Sequence, residues 1–219
     1  MIDDLENNND YTFTVTAQVE ESDIQDSAAS SASNTIFVDV RPNTPGAPKA
    51  KFGDRKIDLS WSSTRVPDGG SPVTKYTVDI TPADTSGRTQ QEVTGTDLVW
   101  DKLANGTAYS FTVSAHNRLT DLDSKVDPPT GPASATEVPA GAPSNQSAPE
   151  VSKDRAAANV TPRARVSWSA PGNDNGDRSF RYELRERGTS EVLHSGSSSS
   201  AVVNMSVGTD NKTFEVRST

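Results

Sequence analysis

The chain has 219 residues, no cysteine and a net charge of −9, with a mean hydropathy of −0.65 and an isoelectric point near 4.7. These totals exclude a disulfide framework, a thiol nucleophile and a thiolate metal site, and they disfavour nucleic acid and anionic membrane, which attract basic patches. Hydrophobic residues make up 32% of the chain, too few for one large core, so several small domains are expected.

The opening segment, MIDDLENNND, has neither the basic nor the apolar region of a signal peptide, and no later stretch approaches the roughly 18 apolar residues of a membrane span. Residues 1–41 hold two apolar alternations: Tyr11, Phe13, Val15 and Ala17, then Ile36, Val38 and Val40. Period two places one set of side chains on one face of a strand. The segment VRPNTPGAPKA (Val40 to Ala50) is rich in proline and glycine and marks a boundary. Between 43 and 138 the alternation returns in Ile57, Leu59 and Trp61, then Tyr76, Val78 and Ile80, then Tyr109, Phe111, Val113 and Ala115. A second boundary, VPAGAPSNQSAPEV (Val138 to Val151), precedes residues 142–219. Proline-bearing linkers are extended and semi-rigid, which predicts spaced beads. No window shows a helical stripe, so the fold class is all-β.

Two phrases recur. IDLSWSSTRVPDGGSPVTKYTVDI (Ile57 to Ile80) resembles ARVSWSAPGNDNGDRSFRYELRE (Ala164 to Glu186), with Trp61 and Tyr76 matched by Trp168 and Tyr182. LENNNDYTFTVTA (Leu5 to Ala17) resembles LANGTAYSFTVSA (Leu103 to Ala115). Tyr11 and Tyr109 stand 98 residues apart, so the repeating unit is about a hundred residues long.

The tryptophan closing strand B, the tyrosine opening strand C and the Leu-x5-Tyr-x-Phe-x-Val-x-Ala pattern of strand F resemble the fibronectin type III family. The resemblance implies tandem Greek-key β-sandwiches of the immunoglobulin-like kind, with seven strands per full module. Residues 43–138 are expected to form a complete module. Residues 1–41 are expected to hold only the E–F corner with strands F and G, and 142–219 strands A to F. The resemblance assigns core and corner roles to Trp61, Tyr76, Leu103, Tyr109, Phe111, Trp168, Tyr182, Leu5, Tyr11 and Phe13. In the last repeat Lys212 stands where the corner tyrosine is expected. The chain then reads as a window from a longer array, with strand exchange between incomplete modules of two copies as one conceivable partnership.

Chemistry is sparse. The two histidines, His116 and His194, lie in different repeats, and no nucleophile elbow, zinc-binding helix or phosphate loop is present. No catalytic, cofactor or metal residue is assigned. NDNGD, with Asn173, Asp174 and Asp177, begins like a calcium loop but lacks the closing glutamate and the flanking helices, so turn chemistry explains it. Asp121, Asp123 and Asp127 lie in the F–G loop, which carries an integrin-binding Arg-Gly-Asp in some family members; that tripeptide is missing here. These six are candidate loop contacts. Asn105, Asn145, Asn159, Asn204 and Asn211 open Asn-x-Ser/Thr sequons. Thirteen arginines against eight lysines point to a GC-rich bacterial genome.

The resulting expectation is a non-enzymatic spacer or adhesion segment of a secreted or cell-surface protein. Its partners would be neighbouring modules, with a surface protein or polysaccharide beyond them. Two alternatives accompany it: an accessory region of an extracellular polysaccharide-degrading enzyme, and a loop-based protein-ligand-binding module. A carbohydrate binder would show exposed Trp or Tyr in a row, whereas a spacer sinks Trp61, Trp100 and Trp168 into cores.

Overall fold

The computed structural model describes residues 2–20, 25–154, 161–176, 179–205 and 212–218. The chain forms two compact units. One comprises Met1–Lys51, Asp58–Val99 and Tyr109–Thr136, and the other Phe52–Ile57, Trp100–Ala108 and Glu137–Thr219.

The strands run β1 (Asn9–Tyr11), β2 (Ile36–Val38), β3 (Lys49–Gly53), β4 (Lys56–Ser60), β5 (Val73–Thr81), β6 (Gln90–Val93), β7 (Asp97–Trp100) and β8 (Ser110–Asn117). A short helix, α1 (Arg118–Leu122), follows. Then come β9 (Glu150–Asp154), β10 (Arg163–Ser167), β11 (Tyr182–Glu186), β12 (Val192–Gly196), β13 (Ser200–Asn204) and β14 (Phe214–Ser218). Among the described residues no helix is long and apolar enough to cross a membrane.

The two later repeats share one topology. Sheets β3-β4-β7 and β6-β5-β8 are matched by β9-β10-β13 and β12-β11-β14. In each case the first, second and fifth strands form one sheet and the fourth, third and sixth the other, as a Greek-key sandwich requires. The ladder between β5 and β8 pairs Tyr76 with Ala115, Val78 with Val113 and Ile80 with Phe111. All six are buried, because period two aims alternate side chains at the opposing layer. The same rule buries Ala164, Val166, Trp168, Tyr182, Leu184 and Val203 in the last repeat.

Seven strands are expected in the full module, and six regular ones form. The seventh segment still bonds to β8: the Gly131 N–H donates to the Val113 carbonyl at 2.8 Å and the Ser134 N–H to the Phe111 carbonyl at 2.8 Å. Pro128, Pro129 and Pro132 have no N–H to donate, so a continuous ladder cannot form there.

The first repeat departs from expectation. Leu5, Tyr11 and Phe13 are assigned to a core by the repeat pattern, yet they are only half-buried, and Val15 is 72% exposed. Sheet β1-β2 has two strands, and a two-stranded ribbon has no second layer of its own to cover a face. The F–G loop also differs, since α1 occupies it where no helix is expected.

Candidate functional site

The corner tyrosine is visible in the first repeat. The Tyr11 hydroxyl accepts the Glu6 N–H at 2.9 Å and lies 3.3 Å from the Glu6 carbonyl, pinning the chain five residues upstream. In the middle repeat Leu103, Tyr109 and Phe111 are buried. In the last, Lys212 replaces the tyrosine and its Nζ lies 2.7 Å from Glu186 Oε2. Trp61 meets Tyr76 edge to face at 5.6 Å, and Trp168 meets Tyr182 likewise at 5.8 Å. Trp61, Trp100 and Trp168 are 8%, 0% and 7% exposed.

The acidic loop residues have separate fates. Asp121 lies on α1, where its Oδ2 accepts the Thr74 hydroxyl at 2.9 Å. The helical turn of the F–G loop sets it beside β5 while it stays exposed. Asp123 ends the helix and accepts the Lys125 N–H at 3.0 Å. Asp127 is exposed. Asn173 and Asp174 serve the turn itself, accepting the N–H groups of Asn175 and Gly176 at 2.9 and 3.2 Å. Asp177 lies outside the described residues, as do Asn159 and Asn211. Asn105 is not a free sequon: its Nδ2 donates to Asp54 Oδ1 and Asn175 Oδ1, each at 2.7 Å.

The strands gather one titratable cluster that the sequence does not advertise. Thr77 Oγ1 lies 2.8 Å from His116 Nε2, and His116 Nδ1 lies 3.6 Å from Asp121 Oδ1. Lys75 Nζ is 2.8 Å from Glu92 Oε1 and 3.9 Å from Asp121 Oδ1. Burial lowers the His116 pKa, the Lys75 charge lowers it further, and Asp121 and Glu92 oppose both. The hydrogen bond from Glu92 raises that of Lys75. Hydroxyl, imidazole and carboxylate stand in the order of an acyl-transfer relay. Two features keep it from working as one. The imidazole–carboxylate distance exceeds a hydrogen bond. Thr77 is 5% exposed and is paired on both sides, to Glu92 and Ser114, so a substrate carbonyl has no approach to its oxygen. Among the described residues no group of three or more His, Asp or Glu is placed to hold a metal ion.

Asn117 is the polar residue that sequence reading misses. It is fully buried, and its Nδ2 donates to the Val40 carbonyl at 2.8 Å and to Asp39 Oδ2 at 3.3 Å. Asp39 Oδ1 accepts the Ser71 N–H at 3.0 Å, and its Oδ2 accepts the Ser71 hydroxyl. One side chain thus ties the first linker to the B–C and F–G loops. The signal for it is Asn117-x-x-Thr120, a capping pattern completed here by reciprocal bonds.

Residues 43–126 match the fibronectin type III domain family. With the tryptophan–tyrosine pair and the sheet order in place, that stretch belongs to the family. Fibronectin type-III domain-containing protein 3A of Mus musculus is 33% identical over 106 residues, covering 44% of this chain and 8% of that protein. The match thus spans a small fraction of the relative's length. A solved structure of chicken CNTN1 FN1-FN3 domains is similar at 18% identity with a TM-score of 0.34, covering 81% of this chain and 60% of that one.

Proposed function

We propose that this chain is a non-catalytic spacer and adhesion segment made of tandem fibronectin type III modules, within a larger secreted or cell-surface protein. The supporting observation is where the aromatics lie. All three tryptophans are at most 8% exposed, and Tyr76, Tyr109 and Tyr182 are buried with them. A sugar-binding platform presents such rings to solvent, because stacking on a pyranose needs an open aromatic face. The test is retention of the chain on insoluble cellulose, chitin and xylan, with release of soluble sugar measured alongside. Neither retention nor release is expected, and either one overturns the reading in favour of an enzyme accessory region.

A second reading, loop-based ligand binding, has one observation behind it. Leu122 at the tip of the F–G loop is 64% exposed and stands between Asp121 and Asp123. An exposed leucine framed by carboxylates suits a partner with an apolar pocket and a basic rim. Leu122→Ala with Asp123→Ala leaves a pure spacer's attachment to its cell surface unchanged, and lowers that of a ligand binder at least tenfold.

A further inference from the structure

Two contacts far apart in the chain are built alike. Leu5-Glu6-Asn7 and Leu103-Ala104-Asn105 occupy the same place in successive repeats, three residues of the E–F corner. Asn7 Nδ2 donates to the Asp68 carbonyl at 2.9 Å. Asn105 Nδ2 donates to Asn175 Oδ1 at 2.7 Å. The acceptors lie in corresponding turns, a main-chain carbonyl in the first and a side-chain oxygen in the second. Asp68-Gly69 and Asn175-Gly176 are the B–C turns of the following repeat, with φ of 50° and 69° in the first and 49° and 91° in the second. Asn and Asp tolerate the left-handed region and glycine occupies it freely.

Each contact is closed by the adjoining linker. At the first, the Asn43 N–H donates to the Arg65 carbonyl at 2.9 Å and Asn117 holds Val40; outside the linker, Arg118 of α1 pairs with Asp10 of β1 at 2.9 Å and lies 3.8 Å over the Phe37 ring of β2. At the second, the Gly106 N–H donates to the Pro139 carbonyl at 2.9 Å, Ala140 to Gly53 at 3.2 Å and Gly141 to Asn175 at 3.0 Å. A glycine of the turn permits the approach in both. A Cβ on Gly70 would lie 2.7 Å from a Val40 methyl, and one on Gly176 would lie 2.5 Å from the Gly106 nitrogen.

We infer that the Leu-x-Asn corner and the left-handed Asx-Gly turn form a recurring docking joint, by which each module takes the next as its partner. The surface on the corner fits a fibronectin type III module whose B–C loop carries Asp-Gly or Asn-Gly with the first residue left-handed. The prolines of the linkers then act as docked connectors, not as free spacers between beads. The joint rests on the spacer reading for its use only, since its geometry is independent of what the array carries.

Residue-resolved hydrogen exchange on the full chain tests it. Asn175→Gly keeps the left-handed turn and removes the side chain; the amides of Gly106, Ala140 and Gly141 should exchange about tenfold faster. Asn7→Ala should do the same to the amides of Asn43 and Ser71. The amides of Val78 and Val113 should hold in both variants. Unchanged rates at the junctions overturn the inference, as does a response at one joint alone. Loss of protection throughout β11 and β14 also counts against it, because a joint loosens without unfolding its modules. Retention on polysaccharide would overturn the spacer reading and leave these rates where they are.

Discussion

Trp61 and Trp168 each meet a tyrosine edge to face, Tyr76 within β5 and Tyr182 at the start of β11, the geometry favoured by the quadrupoles of two rings. Truncating a ring of that size leaves a cavity, so Trp61→Ala should cost about 3–5 kcal/mol in chemical denaturation. Asn117→Ala removes a buried amide and leaves the Val40 carbonyl and Asp39 without that donor. A loss of about 1–3 kcal/mol is expected from the same measurement. Two groups predict acid sensitivity. Burial opposes the charge of Asp84, but the hydroxyl of Ser86 and the N–H and Nε groups of Arg88 hold its carboxyl below the ordinary range. Its stabilisation is present above the unfolded value of 3.8 and is lost as the pH falls below it. His116 is a base whose folded pKa lies below the ordinary 6.5, so its contribution is complete above that pH and declines as the pH falls through it. Urea midpoints followed from neutral to acid pH should drop in both windows. His116→Gln should flatten the upper one and Asp84→Asn the lower.

At the scale of single elements, the partner of Phe13, Val15 and Ala17 is a line of serines. Their N–H groups donate to the hydroxyls of Ser33, Ser30 and Ser27 at 2.9–3.0 Å, and their carbonyls accept the same serines' N–H groups at 2.8–3.0 Å. The strand advances two residues while its partner advances three, so the serine hydroxyl fills the place of a missing backbone carbonyl. Ser134 does the same for Phe111, whose N–H donates to its hydroxyl at 3.1 Å. Ser30→Ala should therefore speed exchange of the Val15 amide about tenfold while the Asp10 and Tyr11 amides keep their rates. Alternation marks the strands because burial on one face imposes period two. The serine line has period three and no apolar face, so neither strand nor helix templates register it.

For the whole molecule, the charge of −9 keeps copies apart at neutral pH. Approaching the isoelectric point near 4.7 removes that repulsion in the range where His116 no longer contributes in full. Light scattering should rise sharply there and fall again on return to neutral pH. The repeats and the positions of Trp61, Trp168, Tyr76 and Tyr182 were legible in the sequence because they are local: a spacing, an alternation, a turn. The strand order, which joins strands far apart in the chain, was implied only by the family resemblance. The loop chemistry was less legible. Asp121 is set beside β5 by α1, a helix too short to leave a periodic trace, and Asn117 draws its meaning from Val40 and Asp39, 77 and 78 residues away.

Sequence by itself determined the all-β class, the hundred-residue ruler and the burial of Trp61 and Trp168, since period-two burial and turn propensity act within a few residues of the chain. Tertiary structure decided what the loops and linkers do. Whether Asn7 or Asn105 faces water or a neighbouring repeat depends on hydrogen bonds 61 and 70 residues long in sequence. Such bonds are directional and short in range, and no pattern along the chain encodes which two loops they will join.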